Sequence, residues 1–185
     1  MKLLLGSNSP RRKELLENLG YEFRVVKINC EEIYPDDLEI EKIANFLSEL
    51  KSKAYPNLEK EEVLITADTI VALKNEILGK PKNKKEAIEM LQKLSGKTHQ
   101  VYTGITVRNW KKSISKTDCS SVEIDYLTEE EINFYIENFK PFDKAGSYGI
   151  QEWFGMAKVK NISGSFYSIM GLPTHLIFSL LKDFE

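Results

Sequence analysis

The chain opens with an apolar run, Leu3-Leu4-Leu5, that stops at Gly6 and passes through Ser7-Asn8-Ser9-Pro10-Arg11-Arg12 into leucines at 15, 16 and 19. This order predicts a short strand that ends at the glycine and turns directly into an amphipathic helix. Ser9 is placed to cap that helix, and Pro10 fits its first turn, where a missing N–H costs nothing. Backbone N–H groups, two hydroxyls and two guanidinium forks then meet at a strand end, a corner suited to an anion and to phosphate oxygens in particular. An ordinary capped helix with solvated arginines is the competing reading.

The same alternation continues. Phe23–Lys27 reads as a short strand, and Leu38–Leu50 as a helix through Ile40, Ile43, Ala44 and Leu47, capped by Asp36 or Asp37. Val63–Ala67 is an unbroken apolar run ending at Asp68, the pattern of a buried strand, which Thr69–Leu73 either continues or pairs with. Lys84–Leu94 is helical through Ala87, Ile88 and Leu91, with Gly96 able to end it in the left-handed region. Val101–Val107 and Val122–Tyr126 alternate as half-buried strands do. Thr128 and Glu131 make a capping box ahead of Ile132, Tyr135 and Ile136. A last strand near Met156–Ile162 precedes a helix opened by Pro173. The predicted class is α/β with a mixed sheet flanked by helices.

At 185 residues the chain is expected to form one domain, 1–185. A net charge of −2 supplies no global field for nucleic acid or an anionic membrane, so a bound phosphate must rely on local groups. The apolar start is too short for a signal peptide and Pro-Arg-Arg interrupts it, no membrane-length segment occurs, and Cys30 and Cys119 lack metal-ligand spacing. The cytoplasm is the expected location.

Several side chains carry chemistry in this pattern. Asp68, where a buried strand emerges, is a candidate metal ligand or base, against a plain turn aspartate. Glu31-Glu32, if it faced Asp68, would complete an oxygen site for a divalent cation. Lys80, fixed between Gly79 and Pro81, and Lys53, at the end of the second helix, are candidate phosphate ligands; Lys53 also suits the helix dipole. His99 reads as structural, since no nucleophile accompanies it. Gln151, after Lys144-Ala-Gly-Ser-Tyr-Gly-Ile, offers an amide donor and acceptor suited to a base edge. Neither a Walker-type phosphate loop nor a Rossmann glycine fingerprint is present.

Taken in order, Ser7-Asn-Ser-Pro-Arg-Arg-Lys-Glu-Leu-Leu, Ala67-Asp-Thr-Ile-Val, Leu78-Gly-Lys-Pro, Leu94-Ser-Gly-Lys-Thr-His, Val101-Tyr-Thr-Gly, Asp143-Lys-Ala-Gly-Ser-Tyr-Gly-Ile-Gln and Gly171-Leu-Pro resemble the Maf family of nucleoside triphosphate pyrophosphatases. The matching stretches span nearly the whole chain. Departures are Gly6, where the family usually has alanine, and Glu152, where a glycine commonly follows the glutamine. Cys30-Glu31-Glu32 replaces a commoner Asp-Glu, which makes Glu32 the firmer match.

The resemblance implies an elongated two-lobed α/β fold like that of the inosine triphosphate pyrophosphatases, with the active cleft between the lobes. It implies hydrolysis between the α and β phosphates with a divalent cation, Mg²⁺ or Mn²⁺. Ser7, Arg12, Lys53 and Lys80 would hold phosphates, Glu32 and Asp68 the cation, and Asp68 would also activate water. Arg11, Thr69 and Gln151 match the subgroup acting on dTTP and UTP; a sister subgroup acting on 7-methylguanosine triphosphate tends to have Trp, Gln and Glu there. Family members are often dimers, and a regulatory role in septum formation has been attached to them. Such a sensor would need no water-activating carboxylate. The expected partner is a small nucleotide, with neither nucleic acid nor membrane.

Overall fold

The computed structural model describes residues 1–56 and 58–184. Seven strands form one mixed sheet in the order β2-β1-β3-β5-β6-β7, with β4 paired to β3 outside that path. The elements are β1 (Lys2–Leu5), α1 (Pro10–Asn18), β2 (Phe23–Val25), α2 (Ile40–Ala54), β3 (Glu62–Leu73), β4 (Glu76–Leu78) and α3 (Lys84–Leu94). There follow β5 (Thr98–Arg108), β6 (Ser113–Ile124), α4 (Glu129–Phe139), α5 (Trp153–Lys158), β7 (Val159–Ser163), α6 (Phe166–Met170) and α7 (Thr174–Leu181). β1 is parallel to both β2 and β3, whereas β3–β4 and β6–β7 are antiparallel, so the expected mixed α/β sheet is present.

The chain divides into two compact units. The first comprises 1–69, 103–118 and 171–185; the second comprises 70–102 and 119–170. In the first, β1 pairs with β2 on one side and with β3 on the other, in the register Leu3↔Phe23 and Leu5↔Ile65. The chain therefore leaves β1 in one direction through α1 and β2, and returns on the far side through α2 and β3. The end of β1, opposite Ile65 of β3, lies at the point where the strand order reverses, the usual ligand position in such sheets. α2 buries Ile43, Ala44 and Leu47, then Ser48 and Ser52, along one stripe. Gly104 of β5 lets this helix lie close, because a Cβ there would sit 2.3 Å from the Ala44 carbonyl oxygen.

In the second unit α3 spans Lys84–Leu94 with Asn83 capping Glu86 N–H, and Gly96 follows at φ +66°, as its sequence predicts. The capping box of Thr128 and Glu131 opens α4 in both directions.

β3 continues through Asp68 to Leu73, one of the two alternatives the sequence leaves for Thr69–Leu73, because Ile70, Val71 and Ala72 keep it apolar and Lys74, at φ 55°, turns it back to pair with β4. Three features differ from expectation. α2 starts at Ile40 after Glu39, with neither Asp36 nor Asp37 as cap, and continues to Ala54, where Pro56 forbids further helix. Ser9 sits at the N-cap of α1 but makes no side-chain cap bond. Residues 153–158 form α5 with Phe154 buried, so the expected last strand begins only at Val159.

Candidate active site

The first unit brings three of the candidate residues, Ser7, Arg12 and Thr69, into one bonded set. Ser7, just beyond β1, accepts hydrogen bonds at Oγ from Ser9 N–H (3.2 Å) and from Arg12 Nη1 (3.3 Å). The Ser7 hydroxyl thus organises the turn into α1, whereas Ser9 was the expected cap. Arg12 also donates from Nη2 to Thr69 Oγ1 (3.2 Å) and from Nε to the Gly171 carbonyl (2.8 Å), and Thr69 shares a hydroxyl bond with Thr103 at 3.0 Å. The guanidinium is therefore held in place, not solvated as a surface reading of Pro-Arg-Arg suggests. Burial lowers its pKa from the ordinary arginine value, while the charges of Asp68 and Glu32 push it back up and Arg11 opposes them.

Along β3, Thr66 and Asp68 share a face and both meet α2, Thr66 through the Ser48 carbonyl (2.7 Å) and Asp68 through Lys51. The Lys51 ammonium donates to Asp68 Oδ1 at 2.5 Å and pairs with Glu32 Oε1 at 3.0 Å, its side chain only 13% exposed. Glu32 and Asp68, 36 residues apart in sequence, converge on a single positive charge. Among the described residues no group of three His, Cys, Asp or Glu side chains is placed to hold a metal. Glu32 and Asp68 nevertheless fit a hard divalent ion, because Mg²⁺ is commonly held by one or two carboxylates with substrate phosphates completing its shell. The shared ammonium marks the point on which both carboxylates focus.

Lys51 was missed in the sequence. Lys53 was singled out instead, and the structure sets it 76% exposed, 3.7 Å from Glu49 on the outer side of α2. Helical phase was the signal available: Lys51 follows Ala44 and Leu47 by seven and four residues, which puts it on the inward stripe. Arg11 is half-buried in the first turn of α1.

In the second unit, Lys80 is exposed after Gly79, whose carbonyl accepts Gly146 N–H at 3.1 Å. Gln151 Oε1 is buried with no hydrogen-bond partner among the described residues. His99 is wholly buried, 2.7 Å from the Tyr148 hydroxyl through Nε2, and burial pushes it down to about 4, consistent with a packing role. No described helix is long and apolar enough to cross a membrane.

The family model for Maf-like protein matches residues 2–184. A dTTP/UTP pyrophosphatase of Bacteroides thetaiotaomicron is 49% identical, the match covering 98% of this chain and 95% of that protein. Proteins of the same name from Phocaeicola vulgatus (48%; 98% and 95% covered) and Porphyromonas gingivalis (45%; 99% and 94% covered) are also similar. Among solved structures, a HAM1 protein from Coxiella burnetii aligns over 67% of this chain and 73% of its own at 13% identity, with a TM-score of 0.44. Matched along nearly its whole length, the chain belongs to the Maf-like protein family.

Proposed function

We propose that this chain is a nucleoside triphosphate pyrophosphatase that hydrolyses dTTP and UTP to the monophosphate and pyrophosphate in the cytoplasm, with Mg²⁺ or Mn²⁺ as cofactor. The observation that carries this reading is the convergence of Glu32 and Asp68 on one positive charge, in the same unit as the anchored Arg12. The names of the relatives supply the substrate class.

Glu32 and Asp68 hold the divalent cation, which offsets part of the roughly four negative charges of a triphosphate. One cation leaves a surplus that cationic side chains must share as charge develops on the departing pyrophosphate. In this reading Ser7 donates its hydroxyl proton, Arg12 its N–H fork and Lys51 its ammonium to phosphate oxygens, with Lys80 as a further candidate. The N–H groups at the start of α1, which no side chain caps, suit the same anion. Asp68 orients the attacking water and takes its proton; the new bond forms at the α phosphorus as the α–β anhydride breaks.

Arg11, Thr69 and Gln151 are the residues to which we assign base preference. A thymine or uracil ring offers an N3–H donor, which the unpartnered Gln151 Oε1 could accept; cytosine has no hydrogen there. The buried acceptor is then left unpaired, at about 1–3 kcal/mol, or roughly tenfold to a hundredfold in kcat/KM. Pyrophosphate and monophosphate release from dTTP, UTP, CTP, GTP and ATP, with and without Mg²⁺ or Mn²⁺, tests the proposal. dTTP and UTP should lead, and only with metal. Failure to release pyrophosphate from any triphosphate would overturn the reaction; equal rates for UTP and CTP would overturn the base preference alone.

A further inference from the structure

The second unit contains a buried charged cluster that the proposed reaction does not use. Residues 149–152 form a turn closed by Glu152 N–H on the Gly149 carbonyl at 3.1 Å, with Ile150 buried and Gln151 the third residue. Both ends of that turn meet one atom, the hydroxyl of Tyr135 on α4. It accepts the Gly149 N–H at 2.8 Å and donates to Glu152 Oε2. The other carboxylate oxygen, Glu152 Oε1, pairs with Lys144 Nζ at 3.1 Å, and Lys144 in turn pairs with Asp143 at 2.8 Å.

Little in this cluster has room to move. Tyr135 is fully buried, with ring centroids 5.2 Å from both Phe139 and Phe154. The Lys144 and Glu152 side chains are 9% and 18% exposed. A Cβ on Gly149 would lie 2.7 Å from Glu152 Cδ, so the carboxylate folds back into space that only glycine leaves. From the middle of this stapled turn comes Gln151, whose Oε1 is buried and without a partner among the described residues. Native interiors rarely leave such an acceptor unsatisfied unless something else is to fill it.

We propose that Tyr135 and Glu152 are positioning residues: they clamp the 149–152 turn so that the Gln151 amide is held ready for the N–H edge of a uracil- or thymine-type base. This rests on the assignment of base preference to Gln151. A loose turn would let the amide rotate and satisfy either a donor or an acceptor, erasing the distinction between uracil and cytosine. The clamp sets the acceptor in advance, and a base lacking the N3 hydrogen meets an unpaired buried oxygen.

The test is kcat/KM for UTP and CTP, measured by pyrophosphate release, in the whole chain and in Tyr135→Phe and Glu152→Ala. Tyr135→Phe removes one oxygen and keeps the ring, so it carries the test if Glu152→Ala does not give a folded protein by circular dichroism. The UTP/CTP ratio should fall about tenfold in both variants. Most of that fall should come from a higher KM for UTP, with CTP little changed. Placed in a Gln151→Ala background, the same substitutions should move the ratio no further, because the group they position is gone. Equal losses for UTP and CTP, with the ratio unchanged, would make the cluster a prop for the fold and overturn the proposal. A ratio near one in the unaltered chain would instead remove the base reading on which it stands.

Discussion

Each unit contains a lysine set between two carboxylates, and the two arrangements differ in how they are closed. In the second unit both oxygens of Glu152 are occupied by the chain's own groups, Tyr135 on one and Lys144 on the other. In the first, the bond to Asp68 runs from Lys51 to Oδ1, with Glu32 on the same ammonium. A buried carboxylate whose two oxygens are taken by a phenol and an ammonium works as a brace. A carboxylate bonded through one oxygen to an ammonium can exchange that partner for a ligand. The same three charges serve structure in one place and suit chemistry in the other, and what decides is how the buried carboxylate is closed, since the outer ones, Glu32 and Asp143, are 51% and 55% exposed.

The substitution with the largest expected effect strikes the open arrangement. Asp68→Asn keeps the shape of the side chain and an oxygen for Lys51, but the amide is a poor base and a weaker cation ligand. Turnover of UTP should fall about 10²–10⁴-fold with little change in melting temperature. Near-normal turnover in a folded variant would place Asp68 with Glu152 among the braces. Lys51→Met should cost less, about tenfold to a hundredfold in kcat/KM.

Acid should separate the units differently. His99 in the second unit is held neutral by burial, down to about 4 against 6.5 for the free group. The unfolded chain therefore binds the extra proton first as pH falls. The contribution is complete above pH 6.5 and is lost progressively between 6.5 and 4, at about 3 kcal/mol in all. Thermal melts across that window should show a falling transition that His99→Phe flattens. An unchanged slope in His99→Phe would assign the acid sensitivity to other groups.

Arg12→Ala is expected to act on both substrate and fold. Its Nε bond to Gly171, 159 positions away, ties α1 to the start of the C-terminal segment. Loss of a charged hydrogen bond costs about 1.5–3 kcal/mol, enough to lower the melting temperature by roughly 5 °C and to raise the KM for UTP. A raised KM with no thermal effect would restore the picture of a solvated arginine.

What the sequence revealed was mostly local. α3 with Gly96 behind it, and the capping box of α4, were readable because the residues that decide them lie within a few positions of one another. The role of Ser7, Arg11, Arg12, Thr69 and Gln151 as candidates came from ordered motifs. The anchoring of Arg12 was not readable, since it depends on the distant Gly171 carbonyl. The length of β3 was readable only as one of two alternatives, because the hairpin at Lys74 that carries the strand past Asp68 depends on pairing with β4. The clamp of Tyr135 and Glu152 joins residues 17 apart through a turn that no short pattern announces.

The smallest expected effect is the most direct check on that distinction between motif and geometry. Lys53 and Lys51 both lie in the last turn of α2, so composition and helix dipole treat them alike. Their settings do not. Lys53, at 76% exposure and 3.7 Å from Glu49, is a solvated pair of the kind worth at most about 1 kcal/mol, whereas Lys51 lies between Asp68 and Glu32. Lys53→Met should therefore change kcat/KM for UTP less than about twofold, a shift under 0.5 kcal/mol. Measured beside Lys51→Met under one Mg²⁺ concentration, it isolates position from charge, because each variant removes one positive charge from the same helical turn. A tenfold loss in Lys53→Met with Lys51→Met unaffected would reverse the assignment and return the phosphate contact to the outer lysine. Comparable losses in both would mean that the summed charge of the helix end, not the geometry at Asp68, draws the triphosphate; a salt titration would then show the two variants losing the same part of the ionic-strength dependence.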